Sequence, residues 1–153
     1  MQKNDILKIR SFFLGLVKSC LILLSLNLYT MAAKVDTVNI YSKGMNKKVP
    51  AVVILPESYK SSKNLPVIYL LHGYSDNYLK WITTVPSIKD LADRYKVIIV
   101  CPDGGFDSWY LDSPLLKEHK YETFISTELI DWIDKNYKTN SSKNGRAITG
   151  LSM

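Results

Sequence analysis

The sequence around Ser152 suggests a catalytic role for this residue. Ser152 stands in Gly150-Leu151-Ser152-Met153, which matches the first four positions of the G-x-S-x-G motif. In that motif the serine sits on a sharp turn after a strand, where its hydroxyl can attack a carbonyl carbon. A match this short also occurs at ordinary turns. The strand-like run RAITG before it favours a nucleophile, so Ser152 is the candidate catalytic residue.

A serine nucleophile needs two N–H donors for the negative oxygen that forms on the attacked carbonyl. The motif assigns one donor to the residue after the nucleophile, which is Met153 in this sequence. The other donor comes from a loop after an earlier strand, and the Tyr74 N–H is best placed because it follows His72-Gly73. We therefore expect the backbone N–H groups of Tyr74 and Met153 to form an oxyanion hole.

The segments before these residues alternate between strand-like and helix-like patterns. Alternating apolar and polar residues predict strands at 35–42 and 47–57 that pair as a hairpin. Pro50 indicates that the second of them is an edge strand. Continuous apolar runs predict strands buried on both faces at 67–73 and 95–104.

Two helices and a last strand complete this pattern. Apolar residues at three- and four-residue intervals predict helices at 87–95 and 120–137, and a strand follows from residue 146. This order predicts an α/β fold with a doubly wound sheet. Because ligands bind at the carboxyl ends of strands in such sheets, three segments could line a site. They are LLHGYSDNYLKW, CPDGGFDSWYLDSP and GLSM.

Four blocks of the sequence resemble, in order, the putative-esterase family of α/β-hydrolases. They are VIYLLHGYSDNYLKWI, YKVIIVCPDGGFDSWYLDSP, YETFISTELIDWID and AITGLSM. The family includes esterase D (S-formylglutathione hydrolase), feruloyl and acetyl-xylan esterases, tributyrin-type esterases and secreted mycolyltransferases. The resemblance covers about residues 37–153. It implies an α/β-hydrolase fold and a serine carboxylic-ester hydrolase that works through an acyl-enzyme.

The resemblance also assigns residues to the site. It implies Ser152 as the nucleophile and the N–H groups of Tyr74 and Met153 as the oxyanion hole. The block from Asp107 to Pro114 resembles the loop that lines the family's cleft, so His72, Gly73, Asp107 and Trp109 are candidate cleft residues. Asp103 and Asp107 could position hydroxyl groups of the substrate, or they could cap turns around Gly104-Gly105.

The family's catalytic acid and histidine follow the nucleophile in chain order, and this sequence has neither after Ser152. His119 precedes the long helix and is expected to be a surface residue. We therefore expect residues 34–153 to be the N-terminal portion of a single α/β-hydrolase domain, truncated after the nucleophile strand and inactive alone. Ser75 replaces an arginine of the mycolyltransferases, which argues against a trehalose mycolate substrate. Acyl transfer to an alcohol and a non-catalytic truncated product remain alternatives.

The N-terminal 33 residues carry a pattern of their own. A basic start is followed by the apolar stretch CLILLSLNLYTMAA, as in a secretory signal peptide. Cleavage is expected after Ala32 or Ala33, which would make the protein periplasmic or secreted. Lys18 interrupts the longer apolar run, so an uncleaved membrane anchor is the alternative, since residues 11–33 are just long enough to span a bilayer if the Lys18 side chain reaches the headgroups; a buried first helix is a third possibility.

The composition of the chain limits the classes of partner that it is expected to bind. The formal charge is +6, but four basic residues and one acid lie in residues 1–33, so only +3 remains for the rest. Basic residues there are scattered, which argues against nucleic-acid binding. His72 and His119 are far apart and have no neighbouring Cys or His, and Cys101 is expected to be a buried apolar thiol. We expect no cofactor, a small-molecule or carbohydrate-linked ester as substrate, and membrane contact only through an uncleaved N-terminal segment.

Overall fold

The structure, a computed structural model, describes residues 33–153, so the predicted signal peptide lies almost wholly outside the described residues. Five strands form one sheet in the order β1-β2-β4-β3-β5. Their bounds are β1 Lys34–Ser42, β2 Lys47–Leu55, β3 Val67–Leu71, β4 Ile98–Pro102 and β5 Arg146–Gly150. Within residues 33–153 no helix is both long and apolar enough to cross a bilayer.

The sheet is mixed. Strands β1 and β2 form the predicted antiparallel hairpin, and β2 also pairs antiparallel with β4. Strand β3 lies parallel to both β4 and β5. The continuous apolar runs therefore do form the parallel centre, and β4 is buried along its whole length.

The prediction that Pro50 marks an edge strand is wrong, because β2 lies between β1 and β4. Pro50 pairs with Asn39 of β1, and its carbonyl accepts the Asp103 N–H at 2.9 Å. In an antiparallel strand the N and C=O of one residue point to the same side. The nitrogen of Pro50 therefore faces the end of the pairing between β2 and β4. Its lack of an N–H removes no hydrogen bond to β1.

Helices cover both faces of the sheet, which confirms the doubly wound α/β fold. Helix α1 (Lys80–Thr84) and helix α2 (Ile88–Tyr95) belong to one face, where Ile88 and Ala92 pack against Val52 and Ile99. Helix α3, whose three segments run from Tyr121 to Asn136, packs against the opposite face, where Phe124 belongs to a second buried cluster. Sequence patterning did not separate α1 from its loop, since five residues give too little periodicity.

Helix α3 is the longest helical element and matches the helix predicted at 120–137. It comprises Tyr121–Thr123, a π-helical segment Phe124–Glu128, and Leu129–Asn136. Its buried side chains are those of the predicted apolar stripe: Tyr121, Phe124, Ile125, Leu129 and Ile133. Trp132 and Tyr137 are only partly buried beside them.

Candidate active site

The loops that follow β3 and β5 leave the sheet side by side. The two strands are parallel and in register, with Leu71 opposite Gly150. His72-Gly73 and Leu151-Ser152 therefore begin at the same level of the sheet, at its carboxyl end. This is the position at which α/β sheets bind their ligands.

Ser152 has the backbone conformation that a nucleophile turn requires. Its φ is +67°, in the left-handed region that a residue with a side chain rarely adopts, and its side chain is exposed. Gly150 makes the turn possible, because a Cβ there would lie 2.9 Å from Leu71 Cβ and 3.0 Å from Leu71 O. The turn therefore presents the Ser152 hydroxyl to solvent at the end of β5.

Gly73 lies directly against this turn. A Cβ on Gly73 would be 3.2 Å from Leu151 O, 3.3 Å from Ser152 Cβ and 3.8 Å from Ser152 Oγ. The absent side chain thus lets the loop after β3 approach the hydroxyl. The next N–H along that loop is the one on Tyr74.

The two predicted oxyanion donors lie on the loops after β3 and β5. Among the hydrogen bonds of residues 33–153, neither the Tyr74 N–H nor the Met153 N–H has an acceptor. The Tyr74 ring is exposed and packs edge-on against Phe106, with ring centres 5.1 Å apart. The N–H of Ser75 donates to Phe106 O at 2.8 Å, which ties this loop to the one after β4.

His72 is buried beneath the two loops and uses both ring nitrogens there. Its Nε2 accepts the Gly104 N–H at 2.8 Å, and its Nδ1 lies 2.8 Å from Gly73 O. Because an amide N–H can only donate, Nε2 carries no proton, and Nδ1 donates to the Gly73 carbonyl. The Tyr110 hydroxyl donates to the His72 carbonyl at 3.1 Å, and burial raises the pKa of this phenol above its ordinary value.

A cavity of about 330 Å³ opens beside Ser152. Tyr110 lines this cavity and belongs to the block from Asp107 to Pro114 that was expected to line the cleft, although only Asp107 and Trp109 were singled out there. Trp109 and Asp107 are exposed and do not line this cavity. Its lining residues are Leu71, His72, Tyr110, Ile148, Thr149, Gly150, Leu151, Ser152 and Met153.

Asp103 and His119 have structural surroundings. Asp103 Oδ1 accepts the Gly105 N–H at 2.8 Å. This carboxylate therefore caps the turn, which was one of its two predicted roles. The His119 ring packs perpendicular to Tyr121 at 6.0 Å, before helix α3. In the described part of the chain, no three His, Cys, Asp or Glu side chains are grouped so that they could hold a metal ion.

Comparison with known proteins identifies the family of the chain. The family described as "Putative esterase" matches residues 42–153. An acetyl esterase from Caldicellulosiruptor saccharolyticus is 33% identical over 124 residues, which cover 76% of this chain and 46% of that protein. An esterase from Mycobacterium tuberculosis is 36% identical over 104 residues, which cover 66% of this chain and 23% of that protein.

Solved structures give the same fold. A ferulic acid esterase superposes with a TM-score of 0.70 at 35% identity, covering 82% of this chain and 50% of that one. An S-formylglutathione hydrolase from Agrobacterium tumefaciens superposes with a TM-score of 0.70 at 17% identity, covering 80% and 50%. The chain thus spans half or less of the length of these relatives. It belongs to the putative-esterase family and has the fold of the α/β-hydrolases.

Proposed function

We propose that the chain carries the nucleophile and oxyanion hole of a serine carboxylic-ester hydrolase. The observation that carries this proposal is the left-handed, exposed Ser152 at the end of β5, in contact with Gly73 of the loop after β3. Membership of an esterase family supports ester hydrolysis as the reaction. The names of two relatives make acetyl and ferulic acid esters the first substrates to test.

In the proposed reaction, Ser152 Oγ forms a bond to the ester carbonyl carbon while its proton passes to a base. The carbonyl oxygen becomes negative and accepts hydrogen bonds from the Tyr74 and Met153 N–H groups. The alcohol then leaves with a proton, and the acyl group remains on Ser152. Water repeats the attack and releases the acid. One such donor contributes roughly 3–4 kcal/mol of transition-state stabilisation in other serine hydrolases.

We also propose that the base and its orienting acid lie outside residues 33–153. Both nitrogens of His72 have partners in the loops, and His119 packs against Tyr121. The matched relatives are at least twice as long as the segment they share with this chain, which leaves room for these residues. The 153-residue chain would then form little acyl-enzyme unaided.

We further propose that the protein is exported through residues 1–33, whose basic start and apolar stretch resemble a secretory signal peptide.

The test uses p-nitrophenyl acetate, with imidazole added to the solution to act as the base. Intact-mass analysis of the wild-type chain should show one acetyl group on Ser152 in the presence of imidazole, with very slow turnover in its absence. Ser152→Ala should remove this acetylation, and Ser141→Ala, at another exposed serine, should retain it.

Two results would count against the proposal. Equal acetylation of the wild-type and Ser152→Ala chains would exclude Ser152 as the nucleophile. Rapid Ser152-dependent turnover without imidazole would show that the 153 residues already contain a base.

A further inference from the structure

His72 is placed to control one oxyanion donor through the backbone. The Gly73 carbonyl and the Tyr74 N–H belong to one planar trans peptide, so they point in opposite directions. The His72 Nδ1–H holds that carbonyl at 2.8 Å, and the Asp76 N–H also donates to it at 3.3 Å. Fixing the carbonyl therefore fixes the direction of the Tyr74 N–H.

The other side of the imidazole anchors this peptide to the rest of the site. His72 Nε2 accepts the Gly104 N–H at 2.8 Å, across a sequence separation of 32 residues. The Tyr110 ring packs against the imidazole with centres 5.9 Å apart, and its hydroxyl holds the His72 carbonyl. Only 1% of the surface of His72 is exposed, so the imidazole makes these contacts away from bulk solvent.

We propose that His72 is a positioning residue, a neutral Nδ1-protonated imidazole that aims the Tyr74 N–H at the oxyanion and ties its loop to Gly104. It neither accepts the serine proton nor contacts the ester. This inference rests on the proposed function, since it concerns one donor of the same oxyanion hole.

Two substitutions separate the two hydrogen bonds of the ring. His72→Asn keeps a donor near the position of Nδ1 and loses the acceptor for Gly104. His72→Gln keeps an acceptor near the position of Nε2 and loses the donor to Gly73. Since removal of a whole oxyanion donor costs about 10²–10³ in rate, a misdirected one should cost roughly 10–100-fold. We expect that loss in His72→Gln and a loss of less than about threefold in His72→Asn.

The readout is the rate of Ser152 acetylation by p-nitrophenyl acetate in the presence of imidazole, with the thermal midpoint of each variant measured in parallel. Asp93→Asn is the matched control, because Asp93 accepts the Ala33 N–H at 3.1 Å, away from the cavity. It should lower the midpoint and leave the rate unchanged. Equal rates in His72→Asn and His72→Gln, or a loss confined to His72→Asn, would overturn the inference.

A second measurement needs no variant of His72. Imidazole ¹⁵N NMR of the wild-type chain should show a protonated Nδ1, an unprotonated Nε2 and a scalar coupling between Nε2 and the Gly104 amide. A protonated Nε2 at neutral pH would refute the proposed role of His72. Acetylation that persists in Ser152→Ala would instead refute the proposed function, so the two failures are distinguishable.

Discussion

Individual residues in the three loops of the site hold unusual backbone conformations. Ser75, Trp109, Tyr110 and Ser152 all have positive φ, between +53° and +67°. A left-handed conformation costs a residue with a side chain roughly 1–2 kcal/mol, so such residues persist where the surrounding contacts impose them. Four of the seven non-glycine residues with positive φ among residues 33–153 thus lie in the loops after β3, β4 and β5, and the other three, Asn46, Asn64 and Lys96, lie elsewhere.

Gly73 offers a direct test of how closely the loop must approach Ser152. In Gly73→Ala the new methyl group would press on Leu151 O and Ser152 Cβ, at 3.2 and 3.3 Å. We expect Ser152 acetylation to slow by about tenfold, since displacements below 1 Å already misalign reacting groups. Gly44→Ala is the control, because a Cβ there meets its nearest atom at 3.6 Å. Equal acetylation of the two variants would contradict the contact.

Cys101 should be unreactive in the folded chain. It is 1% exposed at the end of β4, and burial raises the pKa of its thiol to about 12. At pH 8 only about one thiol in ten thousand would be ionised, and the thiolate is the reactive form. In a Cys20→Ser variant, Ellman's reagent should react with Cys101 only after urea is added. Rapid reaction of the native variant would show that this strand opens.

Among the helices, α3 is held at its start by the side chain of Asp112. Its carboxylate accepts the Thr123 hydroxyl at 2.6 Å and the Thr123 N–H at 3.1 Å. Burial pushes the pKa of Asp112 upward, but these hydrogen bonds and the charge of Lys120 hold it below its ordinary value. The pKa of Asp112 is lower in the folded chain than in the unfolded chain. The ionised carboxylate therefore stabilises the fold at pH values above the ordinary aspartate pKa. That stabilisation is lost as pH falls through the native pKa.

Asp112→Asn should therefore lower the free energy of unfolding by about 0.5–1 kcal/mol at pH 7, the usual scale for a helix cap. The difference from wild type should shrink as pH falls below about 4, where the unfolded carboxylate is already protonated. Urea unfolding at several pH values measures both effects. Asp131→Asn, at an exposed position of α3, should show neither. A deficit that stays constant down to pH 2 would exclude the linkage.

The elements differ in how far sequence predicts them. Strands β3 and β4 follow from continuous apolar runs, and α3 follows from its stripe, because burial imposes a local pattern on each. The interior position of β2 cannot be predicted from the sequence. Pro50 indicates an edge strand, and only the structure shows that β4 pairs with β2. The Gly150–Ser152 turn follows from its motif. The hydrogen bond between His72 and Gly104 depends on a contact between loops that are distant in sequence, so no local pattern predicts it.

Strand β5 is the most exposed part of the sheet. Four of its five residues are exposed, and its second edge has no strand partner among residues 33–153. Apolar grooves of about 430 and 310 Å³ flank it on the two faces. The first contains Tyr69, Ile125 and Ile148, and the second contains Leu70 and Trp81. An unpaired edge beside apolar surface is a site of self-association.

We therefore expect the isolated chain to self-associate through β5. Ile148 is 61% exposed at the centre of that strand, so Ile148→Lys should raise the concentration at which light scattering detects oligomers. Leu115→Lys is the matched control, because Leu115 is even more exposed, at 88%, but lies in a loop. It should leave that concentration nearly unchanged if the strand edge, and not apolar exposure in general, drives association. A wild-type chain that stays monomeric at high concentration and unfolds cooperatively on heating would contradict this expectation.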